Sequence, residues 1–409
     1  MHILLLTHYY APENGAPQRR WTALIERFTA AGHRVTVVCP PPHYPHGRLA
    51  RGDRGEHRAG RESVDAAGAQ VIRVSFLPHD GRIHTRTLDH LWVAAATIRR
   101  VSSLIRTGDL RPDIVVATAP ALPSLLAGRT IARRFDLPLV AEMRDAWPDL
   151  VSHTPGLTAG RGPAHAMKRF VHEQITVLQA GAAHVVTTTE SFARVLADRG
   201  IRHISVIRNG TSAARYDVVP PREAGHAELR VLYMGTIGRS QGLDTVVQAA
   251  ARVRDLGVPV EVRIVGHGAG LRSLRELNAR LGGPAQILGP VPGSGVLEHY
   301  AWADTCVVSL RDWEPFTWTV PSKLYELMAT GRHVTAVVAG ESAGLVRESR
   351  SGDVVPPGDV PALADLLRRL QSNPELLDVG DSGRRWVAEH AEYDALAERY
   401  LGILSAAAA

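Results

Sequence analysis

At 409 residues the chain is too long for one hydrophobic core and long enough for two or three domains. Its 45% apolar and 22% charged content excludes a disordered or fibrous protein, and no run of eighteen apolar residues is available to span a membrane. The net charge of +6 is uneven, +10 over residues 1–220 and −4 over the rest, so an anionic partner or membrane surface would meet the first half; with aromatics at 5% and no basic stripe among them, nucleic acid is not expected.

The opening M-H-I-L-L-L-T lacks a basic n-region and a cleavage site. It reads as a buried parallel strand over residues 2–7. A loop over 8–16 follows. Pro17 then opens a helix whose face is Trp21, Leu24, Ile25 and Phe28, and Gly32 closes it. A second strand over 34–39 completes a strand–loop–helix–strand unit, the start of a doubly wound sheet. Gly15 lets the backbone come close to a ligand at the helix start. Residues 40–68, rich in Pro, Gly, His and Arg, show no periodicity and are expected to be a mobile loop at the mouth of a cleft, or a plain solvated insertion.

Alternation resumes with strands over 71–74, 113–118 and 137–141, and helices over 88–106 and 123–134. After the last strand stands E-M-R-D-A-W-P-D (142–149). Polar groups beyond a strand's carboxyl end are where α/β sheets bind ligands, so Arg144 and Asp145 are site candidates, with a structural Arg–Asp pair as the alternative. A helix (163–180), a strand (184–188), a helix (190–197) and a strand (204–207) finish the first domain, 1–217. Residues 218–226 read as a linker.

The second domain, 227–383, opens with a strand over 229–234 and the glycine-punctuated loop 235–242. A helix carrying Leu243, Val246, Val247, Ala250 and Val253 and a strand over 261–265 follow. Residues 266–270 form a further glycine turn. A helix near Tyr300 and a strand over 305–310 lead to W-T-V-P-S-K-L-Y-E-L-M-A-T-G (318–331). Pro321 suits a helix start and Gly331 a left-handed stop. Ser322, Lys323 and Glu326 then lie in the first turn and a half, beside strand 333–339. A helix start presents free N–H groups and positive partial charge to an anion such as a phosphate, and Lys323 adds a full charge. Glu326 can accept from sugar hydroxyls. A solvated Lys–Glu ion pair is the alternative. Only Lys168 and Lys323 are lysines in a chain with 47 basic residues, which suggests a need for a compact charge at these positions. A strand at 353–355 follows, and a helical pattern over 384–409 is expected to pack back on the first domain. Cys39 and Cys306, far apart in apolar surroundings, read as buried thiols of a reducing cytoplasm.

Together these stretches resemble the GT-B glycosyltransferases, specifically retaining glycosyltransferase family four. Y-A-P-E-N-G-A (10–16) and P-H-Y-P-H-G (42–47) are most similar to the branch that builds exopolysaccharide and O-antigen repeat units. Also shared are I-R-N-G (207–210), the G-x-x-G and Q-G-L-D of 235–244, the turns at 266–269 and 288–291, and P-S-K-x-x-E with M-A-x-G (321–331). The resemblance implies an α/β chain of two facing doubly wound, Rossmann-like domains. It implies a metal-independent, cytoplasmic enzyme moving a sugar from a nucleoside-diphosphate donor to a small-molecule or polyprenyl-linked glycan acceptor, with peripheral contact at the inner membrane face allowed by the basic first domain. Lys323, Arg239 and Asp145 become the catalytic candidates. Gly15, Ala16, Arg144, Asn209, Gly235, Gly238, Gly266, Gly268, Val291, Ser322 and Glu326 become binding candidates.

The chain departs from the family at several points. Where a second glutamate is usual it has Trp318, so the donor sugar would fall to Glu314 or to backbone N–H groups of Phe316, Thr317, Trp318 and Thr319. The usual basic pair after the first strand of the second domain is Thr236 and Gln241, with Arg239 as substitute. No D-x-D pair offers a metal seat. A GT-B sugar-nucleotide epimerase and a non-catalytic nucleotide-sugar binder are the rivals. Product analysis without acceptor separates the first, and a diphosphate-release assay the second.

Overall fold

A computed structural model describes residues 1–13, 15–44, 47–49, 55, 57–146, 149, 163–223 and 225–409. Part of the loop expected over 40–68, and Trp147 and Pro148 of the expected 142–149 cluster, lie outside the described residues. The chain divides into two compact units, Met1–Arg208 with Tyr393–Ala409, and Asn209–Glu392.

The first unit is built on an eight-stranded sheet. Its strands are β1 (His2–Leu6), β2 (Arg34–Cys39), β3 (Glu62–Val64), β4 (Gln70–Arg73), β5 (Ile114–Thr118), β6 (Leu139–Met143), β7 (His184–Thr187) and β8 (Ile204–Val206). They lie in the order β3-β4-β2-β1-β5-β6-β7-β8. All neighbours are parallel except β3 and β4. Every residue of β1, β5 and β6 is buried, as a parallel sheet covered on both faces requires. The helices are α1 (Ala16–Ala30), α2 (Ile83–Thr107), α3 (Pro123–Phe135), α4 (Pro163–Ala180) and α5 (Glu190–Asp198). On α1, Trp21, Leu24, Ile25 and Phe28 are buried as their spacing predicts. They meet the C-terminal helix Tyr393–Ala408, whose Tyr400 ring lies 5.8 Å from Trp21 and 5.9 Å from Phe28. Strand order reverses between β1 and β5, so the loops after those strands diverge and leave a crevice at the carboxyl edge of the sheet.

The second unit repeats the plan with six parallel strands in the order β11-β10-β9-β12-β13-β14. They are β9 (Leu229–Thr236), β10 (Val260–His267), β11 (Gln286–Leu288), β12 (Thr305–Ser309), β13 (His333–Val337) and β14 (Gly352–Val355). The helices are α6 (Leu243–Asp255), α7 (Leu271–Arg280), α8 (Val296–Trp302), α9 (Glu314–Thr317), α10 (Ser322–Ala329), α11 (Gly340–Glu348), α12 (Val360–Ser372) and α13 (Ser382–His390). Separate apolar clusters cover the two sheet faces, one around Tyr300, Leu324 and Val334, the other around Val247, Ile264 and Leu367. Here the order reverses between β9 and β12.

Three expectations are corrected. The stretch 40–68 is not all loop: β3 pairs antiparallel with β4, Glu62 opposite Ile72. All three β3 residues are exposed, so no apolar alternation marks them, and only the ladder does. The pattern over 384–409 is two helices, and only the second belongs to the first unit. The break is held by hydrogen bonds within the second unit, from Thr211 N–H to the Ala391 carbonyl and from Ala213 N–H to the Glu392 carboxylate. The first unit accordingly ends at Arg208, earlier than 217. Among the described residues no helix is long and apolar enough to cross a membrane.

Candidate active site

The loops at the reversal point of the second sheet carry most of the predicted binding residues. Pro321 flanks α10 in extended conformation, Ser322 is its first residue, and Gly331 stops it at φ +69°. Leu324, Tyr325, Leu327 and Met328 are buried, which fixes the rotation of α10 and leaves Ser322, Lys323 and Glu326 half-buried on its free side. Lys323 Nζ donates to Glu326 Oε2 at 2.7 Å and to the Tyr300 hydroxyl at 3.3 Å. The pair is therefore formed, but not as a solvated surface pair: the two side chains are 28% and 14% exposed. The lysine chain runs past Gly235, its Cε 3.8 Å from where a Cβ would stand on that residue. Lys323, Gly235 and Glu326 are thus brought together at the end of β9.

The neighbouring glycines crowd backbone against backbone. A Cβ on Gly266, at φ +150°, would stand 1.9 Å from the Gly235 carbonyl oxygen, a contact no side chain could tolerate. Gly268 lies over Ile237, whose N–H and carbonyl bond the backbone of His267 and Gly270. The loop 235–242 is closed by Gln241, whose Oε1 accepts from the Gly238 N–H at 3.1 Å. The residue standing in place of a basic one is thus a turn clasp. Arg239 in that loop is exposed and forms no ion pair among the described residues. The backbone N–H of Arg311, after β12, donates to the Ser240 carbonyl and ties the two diverging loops.

Residues 314–319 form a compact turn. The Thr317 hydroxyl donates to the Glu314 carbonyl, the Thr319 hydroxyl to the Pro315 carbonyl, and Phe316 packs edge-on to Trp313 at 5.0 Å. Glu314 is exposed; Phe316, Thr317, Trp318 and Thr319 are half-buried. The Ser342 hydroxyl donates to the Thr319 carbonyl, anchoring this turn on α11. Val291 packs on the core around Tyr300. Asn209, half-buried, is the first residue of the second unit.

In the first unit the predicted residues divide. Gly15 precedes α1 in extended conformation and Ala16 is exposed on its first turn. The Gln18 carboxamide fills the side of Gly15 where a Cβ would project, its Nε2 donating to Glu13 and its buried Oε1 without a hydrogen-bond donor. Among the described residues the ion pair of Arg144 is with Glu142 and not with Asp145. Its guanidinium donates to the Thr118 hydroxyl and the Ala119 carbonyl and lies 3.5 Å from Glu142. Glu142, fully buried, is held from the other side by Arg20 at 3.0 Å. Burial pushes the Asp145 carboxyl pKa up, with Arg144 partly opposing.

Sequence reasoning passed over a histidine cluster at the carboxyl ends of β1, β2 and β4. His8, His43 and His79 converge on Asp89 of α2. The available signal was positional, a histidine following each of three buried strands.

Residues 15–210 match the family described as "Glycosyl transferase 4-like domain", and residues 228–373 match "Glycosyl transferases group 1". The putative colanic acid biosynthesis glycosyl transferase WcaI of Escherichia coli K12 is 24% identical over 358 residues, 84% of each chain. Among solved structures, sucrose-phosphate synthase from Thermosynechococcus elongatus superposes with a TM-score of 0.72 at 18% identity, covering 98% of each chain. Anabaena Alr3699/HepE, solved with UDP-glucose, superposes with a TM-score of 0.68 at 15% identity over 99% of this chain and 100% of its own. With both of its Rossmann-like units matched in sequence and its fold shared with these proteins, the chain belongs to the family-four type of GT-B glycosyltransferases and is a transferase of glycosyl groups.

Proposed function

We propose that the enzyme transfers a sugar from a nucleoside-diphosphate donor to an acceptor hydroxyl with retention of anomeric configuration, and that no divalent metal takes part in the transfer. The observation that carries this reading is Lys323, a half-buried ammonium in the first turn of α10, over Gly235 and against Glu326. As the bond from the anomeric carbon to the diphosphate breaks, negative charge grows on the leaving oxygen. A fixed cation there lowers the barrier more than any other single device. The ammonium has three N–H donors, so it can keep Glu326 and Tyr300 while turning one proton to a phosphate oxygen. The Glu326 carboxylate accepts from the ribose hydroxyls. The acceptor oxygen bonds the anomeric carbon from the face the diphosphate leaves, and its proton passes to a diphosphate oxygen, so no protein base is needed and Asp145 positions the acceptor.

Two comparisons support the substrate class. A protein of the same fold is solved with UDP-glucose, and the relative WcaI is named for colanic acid biosynthesis. A polyprenyl-linked glycan acceptor therefore leads, with a cytoplasmic site, the basic first unit at the inner membrane face, and a small-molecule acceptor as second choice. The test is a thermal-shift screen of the full chain with UDP, GDP, dTDP and ADP. Stabilisation by one of them, followed by acceptor-dependent release of that diphosphate and an axial or equatorial linkage matching the donor, is expected. No shift with any of the four would remove the donor assignment, and inverted product would remove the mechanism.

A further inference from the structure

We propose that the first unit holds a divalent transition-metal ion, Zn2+ by the chemistry of its donors, on His8, His43 and Asp89, a site independent of the donor-binding residues of the second unit. The three residues are 2%, 3% and 0% exposed, and their ligand atoms lie within 4.8 Å of one another. The Nε2 atoms of His8 and His43 stand 3.2 and 3.3 Å from the same oxygen, Asp89 Oδ2. Metal–ligand bonds of about 2.0–2.1 Å at tetrahedral angles separate their ligand atoms by about 3.3–3.4 Å.

The hydrogen-bond pattern selects a cation over a network of neutral groups. His43 Nδ1 is 2.7 Å from the Pro41 carbonyl, which can only accept, so that nitrogen carries the hydrogen. In the neutral ring Nε2 is then a lone pair, and it faces a carboxylate oxygen. Asp89 Oδ1 is already satisfied by the Leu77 N–H at 2.8 Å, which leaves Oδ2 as the oxygen turned to the imidazoles. His8 approaches Oδ2 without hydrogen-bond geometry, and neither of its buried ring nitrogens has a hydrogen-bond partner. A proton between His43 and Asp89 would satisfy one ring; a cation at the shared point satisfies both. Two imidazoles and a carboxylate are the donor set that Zn2+ and its neighbours take, with one position left for a small ligand.

The outer groups fit the same reading. The Pro41 carbonyl fixes the tautomer and tilt of His43, as second partners of ligating histidines do. His79 Nδ1 accepts from the Gly81 N–H, so its Nε2 hydrogen points toward Asp89, at 4.0 Å. Backbone bonds from Gly47 to His43 and from His79 to Gly47 lock the two histidine loops together. The ion would clamp the loops after β1 and β2 onto α2, at the end of the sheet where ligands bind.

The test uses the full chain. Co2+ titrated into metal-stripped protein should give the visible absorption of a tetrahedral site, saturating at about one equivalent. Zn2+ should displace it and raise the melting temperature, whereas Mg2+ should do neither. His43→Ala and Asp89→Asn should weaken Co2+ binding at least the ~10–100-fold that loss of an outer partner alone costs. Folded wild-type protein giving no such band, with Zn2+ leaving its melting temperature unchanged, would show a protonated imidazole–carboxylate cluster and overturn the proposal. Unweakened binding in folded variants would overturn it equally; if the variants fail to fold, the wild-type titration alone decides.

Discussion

Lys323 and Glu326 form a 2.7 Å ion pair that is held half-buried beside Gly235. A pair so placed is a poor source of stability and a good store of oriented charge. Lys323→Ala should therefore lower turnover by about 10²–10³-fold with little change in melting temperature. Glu326→Gln should weaken nucleoside-diphosphate binding in calorimetry by about tenfold or more, the usual cost of a charged hydrogen bond. Unchanged values in folded variants would remove both residues from the site.

Gly340 sets the position of the 314–319 turn. It has φ +61°, and a Cβ there would stand 2.0 Å from the Thr317 carbonyl oxygen. The left-handed conformation alone costs an alanine about 1–2 kcal/mol, and the clash adds to it. Gly340→Ala should lower the melting temperature and raise the donor KM, because the turn that carries Phe316 to Thr319 must move. A KM equal to wild type would show that this turn does not touch the donor.

Arg20 and Glu142 are a buried pair at 3.0 Å, and Arg20 also donates to the carbonyls of Ile207 and Arg208. Removing Arg20 takes away the closer cation of Glu142 and leaves Arg144, at 3.5 Å, and the Thr118 hydroxyl to offset its buried charge. Arg20→Met should cost up to about 3–5 kcal/mol in denaturant unfolding, with part recovered by adding Glu142→Gln. Absence of that recovery would assign the loss to packing.

His2 supplies a pH dependence. Its Nδ1 faces the Arg111 carbonyl and its Nε2 the Thr36 hydroxyl, and burial, helped by Arg34, pushes its pKa below the ordinary 6.5. The unfolded chain then binds the proton more readily than the folded one. The contribution of His2 is present above pH 6.5 and is lost as pH falls below it. Melting curves from pH 8 to 5 should show a smaller acid loss for His2→Asn than for wild type; equal slopes would exclude His2 as a source.

Initial rates should not rise with added Mg2+ or Mn2+ and should survive brief exposure to EDTA if, as proposed, Lys323 and the α10 start take the charge of the leaving group. Loss of rate that Mg2+ restores would contradict this.

Periodicity and turn chemistry determined much by themselves. Strands such as β1 and β5 are unbroken apolar runs, and Trp21 to Phe28 or Leu324 to Met328 repeat at helical spacing, so local sequence already states which face is buried. Lys323 and Glu326 lie within one helix, with Pro321 and Gly331 at its two ends, so their relation follows from local helix geometry. Tertiary structure decided what depends on residues far apart in sequence. Arg144 turns to the Ala119 carbonyl, 25 positions away, and not to its neighbour Asp145, and Glu142 takes Arg20, 122 positions away. The exposed strand β3 is marked only by its pairing with β4, and the helical pattern after residue 384 breaks where residues 211–213 hold 391–392. His8, His43 and Asp89 meet because two strand ends and a helix converge, a coincidence in space that no window along the chain contains.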